Sequence, residues 1–495
     1  MPAARTRPFA FDNSYARDLQ GFYLPVQAAL APQPQMIKFN HRLALDLGLD
    51  ASALDSPEGA AIFSGQSVPE GAQPIALAYA GHQFGGFSPQ LGDGRALLLG
   101  EIIDIHGQRR DIALKGSGPT PFSRNGDGKA ALGPVLREYL VGEAMHALGI
   151  ATTRALAAVT TGEWVYRDTA QPGAILTRVA ASHIRIGTFQ YFAARGETGK
   201  LRQLADYAIA RHYPELRGAE NPCLAFLEAV CARQTALVAQ WMLAGFIHGV
   251  MNTDNTSISG ETIDYGPCAF LEHFEPGQVF SSIDRNGRYA YANQPLVLRW
   301  NLVRLAEALM PLLHAKPDQA AELANAVLAT LDERHATAWL AGMRRKLGLT
   351  NERPGDAELA RAFLAVLEAG RADYTLAFRH LGAAGQGNEA FLRAQFAGCS
   401  MLDPWLARWR ARLAQDPCLA ADRAKTMARA NPAFIARNHR VEAAIQAALE
   451  NQDFAPFETL LQVLARPFDD QPEHAELAEP ASAAQTAAYK TFCGT

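Results

Sequence analysis

His248-Gly-Val-Met-Asn-Thr-Asp-Asn255, followed after a short interval by Asp264-Tyr-Gly266, is the stretch from which the rest of the chain is read. It closes a long apolar run from about Cys223 to Phe246, so a buried helix is expected to deliver it onto a loop. Thr256-Ser-Ile and Thr262-Ile-Asp264 flank the pair Ser259-Gly260, a pattern that predicts two short strands and a tight turn. An Asn oxygen and a carboxylate can share one hard divalent cation bridging phosphates, which makes Asn255 and Asp264 a candidate metal pair. The bland alternative is a polar turn whose side chains bond their own backbone.

The layout is similar to that of protein kinases, where a catalytic loop carries a His and, seven positions on, a metal-binding Asn, before an Asp-Phe-Gly. His248 and Asn255 keep that spacing, and Asp264-Tyr-Gly266 takes the second place. One departure has a chemical consequence. The carboxylate expected two residues after the His is Val250, which cannot accept a proton, so Asp254 becomes the candidate base.

Toward the N-terminus, Arg178 and Arg185 stand seven apart; arginines grip phosphates in bidentate fashion, but taken alone this pair reads better as solvated surface. Pro134 to Leu148 reads as a helix, opened by the proline and closed by Gly149. Glu138 lies on an apolar face of it with Val141 and Met145, a costly position for a carboxylate without a partner. Lys115 ends the strand-like Asp111-Ile-Ala-Leu-Lys115 and is the natural partner. Between them runs Gly116 to Lys129, a long loop of turn formers that includes Asp127 and Gly128. Further upstream, strand-like runs from Pro74 and Arg95 flank Gly81-His-Gln-Phe-Gly-Gly-Phe-Ser-Pro-Gln-Leu-Gly-Asp-Gly94, which predicts an antiparallel meander with a glycine-rich first connection. Backbone N–H groups there can approach phosphates, and Gly92, Gly94 and Arg95 are expected contacts, whereas Asp93 would repel them. Residues 1–74 mix short helices, clearest at Ile37 to Leu47, with Pro-rich connections.

Beyond about Asn293 the chain is rich in Ala and Leu at helical spacing. Helices are expected at Leu296 to Leu313, Asp318 to Leu347, Ala357 to Glu368, Leu406 to Ala414 and Val441 to Leu449. With 495 residues, more than one core is expected. A formal charge of -4 gives no electrostatic reason to expect nucleic acid or an anionic membrane. The longest apolar run, Leu237 to Met251, is interrupted by Gln240, Gly245 and His248, so no membrane span is expected. No apolar segment of secretory type follows Arg5 and Arg7, and a cytoplasmic protein is expected. The six cysteines show no metal spacing and read as free thiols; Cys493, near the C-terminus, is either an exposed reactive thiol or an inert tail residue, and the sequence alone favours the inert reading.

Taken in order, Gly81-His-Gln-Phe-Gly85, Leu91-Gly-Asp-Gly-Arg95, Leu114-Lys-Gly-Ser-Gly118, Leu136-Arg-Glu-Tyr-Leu140, Met251-Asn-Thr-Asp-Asn255 and Asp264-Tyr-Gly-Pro267 resemble the selenoprotein O family of protein adenylyltransferases. The resemblance implies a pseudokinase fold and transfer of AMP from ATP to Ser, Thr or Tyr hydroxyls of proteins, with the nucleotide reversed relative to kinases. It implies ATP contacts from Gly92, Gly94, Arg95, Lys115, Asp127, Gly128, Arg178, Arg185 and Asp264, with Glu138 as ion-pair partner of Lys115. It further implies magnesium or manganese on Asn255 and Asp264, Asp254 as proton acceptor, and a redox role for Cys493. The resemblance also implies regulation by a disulfide from that C-terminal residue to the segment after the Asp-Tyr-Gly element; here Phe280-Ser-Ser-Ile-Asp284 offers no cysteine and Cys268 is the nearest.

The expected fold is therefore α+β and protein-kinase-like, with a smaller lobe of antiparallel sheet and helix, a larger helical lobe, and helical segments at both ends. The expected units are 1–74, an N-terminal extension; 75–190, the lobe with glycine loop, Lys strand and Glu helix; 191–291, the catalytic and metal loop; and 292–495, a helical region with a loose tail. Ordinary γ-phosphate transfer, UMP transfer and a non-catalytic nucleotide-binding scaffold are the rival readings.

Overall fold

A computed structural model describes residues 9–482 and Gln485 of the chain. Among them the strands are, in chain order, β1 (Tyr23–Pro25), β2 (Gln35–Phe39), β3 (Ile75–Leu77), β4 (Gly81–Gln83), β5 (Gly86–Ser88), β6 (Ala96–Ile103), β7 (Arg109–Lys115), β8 (Ala130–Ala131), β9 (Arg154–Tyr166), β10 (Ala170–Ala180), β11 (Phe246–Ile247) and β12 (Ala269–Phe270). The main sheet runs β1-β3-β6-β7-β10-β9-β2 with antiparallel neighbours, and β8 pairs with β10. Strands β3, β6 and β7 are the meander read from the sequence, and its glycine-rich connection carries a hairpin of its own, β4–β5. The fold is thus α+β, an antiparallel sheet with many helices.

The first 74 residues are woven into that sheet. β1 forms one edge and β2 the other, so the segment frames both sides. The helix expected from Ile37 to Leu47 is correspondingly shorter. Residues 35–39 pair with β9, and only His41–Asp46 is helical, started by Asn40, whose side chain accepts from Leu43 N at 3.1 Å.

Alternation along the strands sorts two cores. Leu97, Leu99, Ile112, Leu114, Ile175 and Val179 face the N-terminal helices with Leu43, Leu47 and Phe63. Leu98, Ala174 and Leu176 face the other way, onto Leu136, Leu140 and Met145 of the Leu132–Ala147 helix. That helix begins two residues before the proline expected to open it, and Leu148 and Gly149 close it.

The helical part is built around Pro222–Ala244, which packs against Gln294–Leu313 and Leu331–Lys346. By length and hydropathy Pro222–Ala244 could cross a membrane, which the sequence reading did not anticipate. Yet Phe226, Leu227, Val230, Val238 and Trp241 are buried within the protein. The long helix expected from Asp318 to Leu347 is broken into Pro317–Leu328 and Leu331–Lys346. At the break the Thr330 hydroxyl donates to Val327 O at 2.8 Å, supplying a local bond that competes with helix continuation.

The hairpin expected at 256–264 does not form. Ser257 bridges to Arg185 and Thr262 to Thr152, so each arm is drawn to a different neighbour. Instead β11 pairs with β12, and this short ladder brackets the loop that carries residues 248–268.

Candidate active site

Strand parity puts the cationic side chains on one wall. Ile112 and Leu114 face the N-terminal core, so Lys115 emerges on the opposite face, the one covered by the Leu132–Ala147 helix. On β10, Leu176 shares that face, and two residues on so does Arg178. Lys115 lies opposite Leu176 and Arg178 opposite Ala113, which makes the two cations diagonal neighbours. Glu138 meets both: Lys115 Nζ is 2.5 Å from Oε2, and Arg178 Nη1 is 3.2 Å from Oε1. The carboxylate on an apolar helix face is thus doubly paired.

Asp264 closes the cluster from the loop. Its Oδ1 accepts from Lys115 Nζ at 2.9 Å and Arg178 Nη1 at 2.6 Å, and its Oδ2 from Arg185 Nη1 at 3.2 Å. Burial by itself would raise this carboxyl, but Lys115, Arg178 and Arg185 outweigh it and hold it well below the usual carboxylate range. Its backbone is left-handed, with φ of 64°. Such a conformation costs on the order of 1 kcal/mol and needs support from its surroundings. His248 supplies some of it: its Nε2 donates to Ile263 O at 2.9 Å while Nδ1 accepts from Val250 N at 3.4 Å. His248 is therefore a buried backbone brace.

The glycine loop and the loop after β7 pack onto each other. A Cβ at Gly92 would lie 2.3 Å from Phe122, and one at Gly128 would lie 2.1 Å from Gly118 O. Both positions also have positive φ, so glycine is required twice over. Thr120 Oγ1 donates to Asp93 O at 2.6 Å, and Ser123 Oγ to Gly94 O. Asp127 takes a bidentate clasp from Arg167, at 2.8 and 2.9 Å. Asp93, set aside as repulsive, is buried; its Oδ2 accepts from Leu77 N at 3.0 Å and its Oδ1 lies 3.8 Å from Arg185.

Facing these walls is Asp254. It sits in a short 3-10 turn, Thr253–Asn255, and Gln83 Nε2 donates to its Oδ2 at 3.0 Å. Its buried Oδ1 has no hydrogen-bond partner among the described residues. Burial pushes the carboxyl up to about 6, against the pull of the Gln83 bond and the charge of Arg185. Beside it, Asn255 Nδ2 donates to Val250 O at 3.0 Å, which leaves Oδ1 as the amide's ligand atom. Among the described residues no group of three or more His, Cys, Asp or Glu is arranged to hold a metal ion. Asn255 and Asp264 offer oxygen donors only, a set that suits a hard cation and not a soft one.

One cavity of about 330 Å³ collects these parts. Gly92, Gly94, Arg95, Lys115, Asp127 and Gly128 line it, as do Glu138, Arg178 and Arg185, and so do Asp254, Asn255 and Asp264. Cys493 lies outside the described residues. Cys268 is buried, and burial pushes its thiol up to about 11. Sequence reasoning missed three contributors. Gln83 orients Asp254; Tyr79 lies under the Arg185 guanidinium at 4.5 Å; His183 accepts from Arg178 Nε at 3.2 Å. Gln83 was within reach, because Gly81-His-Gln-Phe-Gly85 stood out as a motif without a role.

The arrangement can neutralise a polyphosphate on the cationic wall and present an unpaired carboxylate to an incoming hydroxyl. Residues 7–465 match the family model described as "Protein adenylyltransferase SelO". Among similar curated proteins, the Rhizobium rhizogenes "Protein nucleotidyltransferase YdiU" is 59% identical over 100% of this chain and 98% of its own length. The proteins of that name from Rhizobium etli and Cereibacter sphaeroides are 60% and 61% identical, each over 98% of this chain and over 97% and 100% of their own lengths. The chain belongs to the SelO family and is a nucleotidyltransferase.

Proposed function

We propose that this enzyme transfers AMP from ATP to Ser, Thr or Tyr hydroxyls of proteins and releases pyrophosphate. The observation that carries the reading is the unpartnered, buried Oδ1 of Asp254 in the same cavity as Lys115, Arg178 and Arg185. Val250 removes the base a γ-phosphotransferase would use, while an acid with a pKa of about 6 can accept a proton near neutral pH. In this reading Lys115, Arg178 and Arg185 bind and orient the phosphates, with Glu138 fixing Lys115. Gly92, Gly94, Arg95, Asp127 and Gly128 enclose the nucleotide, and Asp254 takes the acceptor's proton as its oxygen attacks the α-phosphorus. Magnesium or manganese would be held by Asn255 and Asp264 and would add charge neutralisation at the phosphates. The sheet-bearing and helical parts then correspond to the two lobes of a kinase-like fold divided at about residues 74, 190 and 291. We further propose a cytoplasmic protein whose partners are ATP and hydroxyl-bearing proteins, not nucleic acid or membrane.

Incubation with α-labelled and, separately, γ-labelled ATP tests the chemistry, with intact mass recorded on enzyme and acceptor. Retention of the α label alone, with a mass gain of one AMP, is expected; retention of the γ label would favour kinase chemistry. UTP in parallel separates AMP from UMP transfer. Asp264→Ala should abolish incorporation, and Asp254→Asn should lower it by roughly 10²–10⁴ with nucleotide binding retained.

A further inference from the structure

The β4–β5 hairpin borders the site from outside, and nothing in the nucleotide reading uses its outer face. It is tied to the catalytic segment at consecutive points. His82 N donates to Thr253 Oγ1 at 2.7 Å, Gln83 Nε2 to Asp254 Oδ2 at 3.0 Å, and Phe84 N to Asn252 Oδ1 at 3.1 Å. Gln83 lines the cavity, so the hairpin beyond it forms the cavity's rim on the Asp254 side. On that rim Phe84 and Phe87 are 37% and 43% exposed, despite the cost of leaving two phenyl rings in water. Phe84 is also held at a φ of 51°, an unusual conformation for an aromatic residue.

Cationic groups stand against the same rim. Arg288 lies 4.8 Å from the Trp300 ring centre and Arg304 5.0 Å from it, and the Trp300 ring in turn packs on His82 at 5.0 Å. A side chain at Gly85, the hairpin tip, would come within 3.7 Å of the Arg288 guanidinium carbon. Arg304 is paired with Glu307 at 2.7 Å. Arg288 has no carboxylate partner among the described residues, and its buried Nε has no hydrogen bond. The nearest acid in sequence, Asp284, already accepts from the backbone N–H groups of Arg288 and Tyr289, at 2.9 and 2.7 Å. A guanidinium with no carboxylate partner, stacked on an aromatic ring and flanked by exposed phenyl groups, is suited to a carboxylate arriving on another chain.

We infer that this rim is the docking surface for the acceptor protein, and that it selects a segment with Asp or Glu close to the modified hydroxyl. The inference rests on the transfer reading above and specifies its substrate class. Phe84 and Phe87 contact the apolar part of the segment, Arg288 takes its carboxylate, and the hydroxyl reaches Asp254 past Gln83.

The test uses the full-length enzyme, α-labelled ATP, and synthetic peptides with one central Ser or Tyr flanked by Glu, Gln or Lys. On the wild type, changing Glu to Gln should raise KM about tenfold, the worth of one charge-assisted hydrogen bond, with kcat within about twofold. Lys flanks should be poorer still. In Arg288→Gln the Glu and Gln peptides should become equal, while melting temperature and binding of a non-hydrolysable ATP analogue report on folding and the nucleotide site. Equal KM values for Glu and Gln peptides on the wild type overturn the docking surface without any variant being needed. So does a tenfold difference that survives in Arg288→Gln. Peptides left unlabelled while the enzyme labels itself also overturn the docking surface, yet leave AMP transfer standing. No incorporation anywhere brings down the transfer reading, and this inference with it.

Discussion

Arg178 donates from Nε to His183 Nε2, and that bond forms only while His183 is neutral. The tautomer is fixed from the other side, where Nδ1 donates to Asp111 Oδ2 at 2.9 Å. Asp111 is itself held by Arg211 Nη2 at 2.5 Å, and Arg211 also contacts Glu101. A buried relay of charges therefore runs from the phosphate wall to the back of the sheet. Burial lowers the His183 pKa, with the charges of Arg178 and Arg185 adding to the effect against the pull of Asp111. The sign follows. Below the unfolded value of about 6.5 the unfolded chain binds a proton that the folded chain refuses. This residue's contribution to stability is thus complete above that pH and is lost as pH falls. His183→Leu removes the acceptor of Arg178 Nε while the bonds to Glu138 and Asp264 remain, and should lower kcat/KM for ATP about tenfold. Kinetics of wild type and variant between about pH 7 and 8, where the folded chain keeps His183 neutral, check this.

At the scale of elements, the glycine loop shows what a sequence discloses and what it hides. Gly92 and Gly94 were read as openings for phosphate, from glycine's missing Cβ. They do line the cavity, but the missing Cβ of Gly92 also makes room for Phe122 from a loop thirty residues on, a contact no local pattern announces. Gly92→Ala should therefore raise KM for ATP, and Phe122→Ala should restore it only in part, because the φ of 75° remains strained for alanine. Steady-state kinetics of the two single variants and the double variant decide it. Glu138 was legible because an acid on an apolar face breaks a local rule, and Lys115 as its natural partner; Asp264 was read from its spacing after Asn255, and Arg178 from the family resemblance. The hairpin expected at 256–264 was misread because its arms satisfy their backbone groups on residues far away in sequence.

Lys346 breaks such a rule too, at the end of the Leu331–Lys346 helix, and no sequence signal marked it. Its ammonium lies 4.2 Å from the Phe378 ring centre and 5.5 Å from that of Tyr374, and burial pushes its pKa down to about 7. An unfolded lysine titrates near 10.5. Between those values the unfolded chain holds a proton the folded chain sheds, so stability rises with pH across the window, by at most about 1.4 kcal/mol per unit. Below about 7 the full cost of burying the charge is present, offset in part by the two rings. Lys346→Met should accordingly stabilise the protein most at pH 6 and progressively less toward pH 10, as read by thermal melts across that range.

The whole molecule depends on contacts between its sequence-distant parts. The Leu132–Ala147 helix shows one face to the sheet and, through Tyr139, meets Phe457 at 5.9 Å from the C-terminal helices. Arg137 reaches Glu442 at 3.3 Å, and Lys38, on β2, reaches Glu458 at 2.5 Å. The C-terminal helices thus back the helix that positions Glu138. A second clasp reaches the catalytic loop. Arg437, buried, pairs with Asp373 at 2.9 Å and with Glu272, two residues beyond β12. β12 is half of the ladder that brackets residues 248–268. Removing one member of such a cluster leaves the others buried and uncompensated, which costs about 3–5 kcal/mol. Arg437→Met should therefore lower the urea midpoint markedly. Below its own transition, KM for ATP should be unchanged, because Arg437 does not line the cavity. Replacing the acids as well, in Arg437→Met with Asp373→Asn and Glu272→Gln, should recover much of the stability, since the uncompensated charges are then gone. Urea denaturation of the single and triple variants measures both steps; a triple variant no more stable than the single one would show that the clasp acts through its shape and not through its charge.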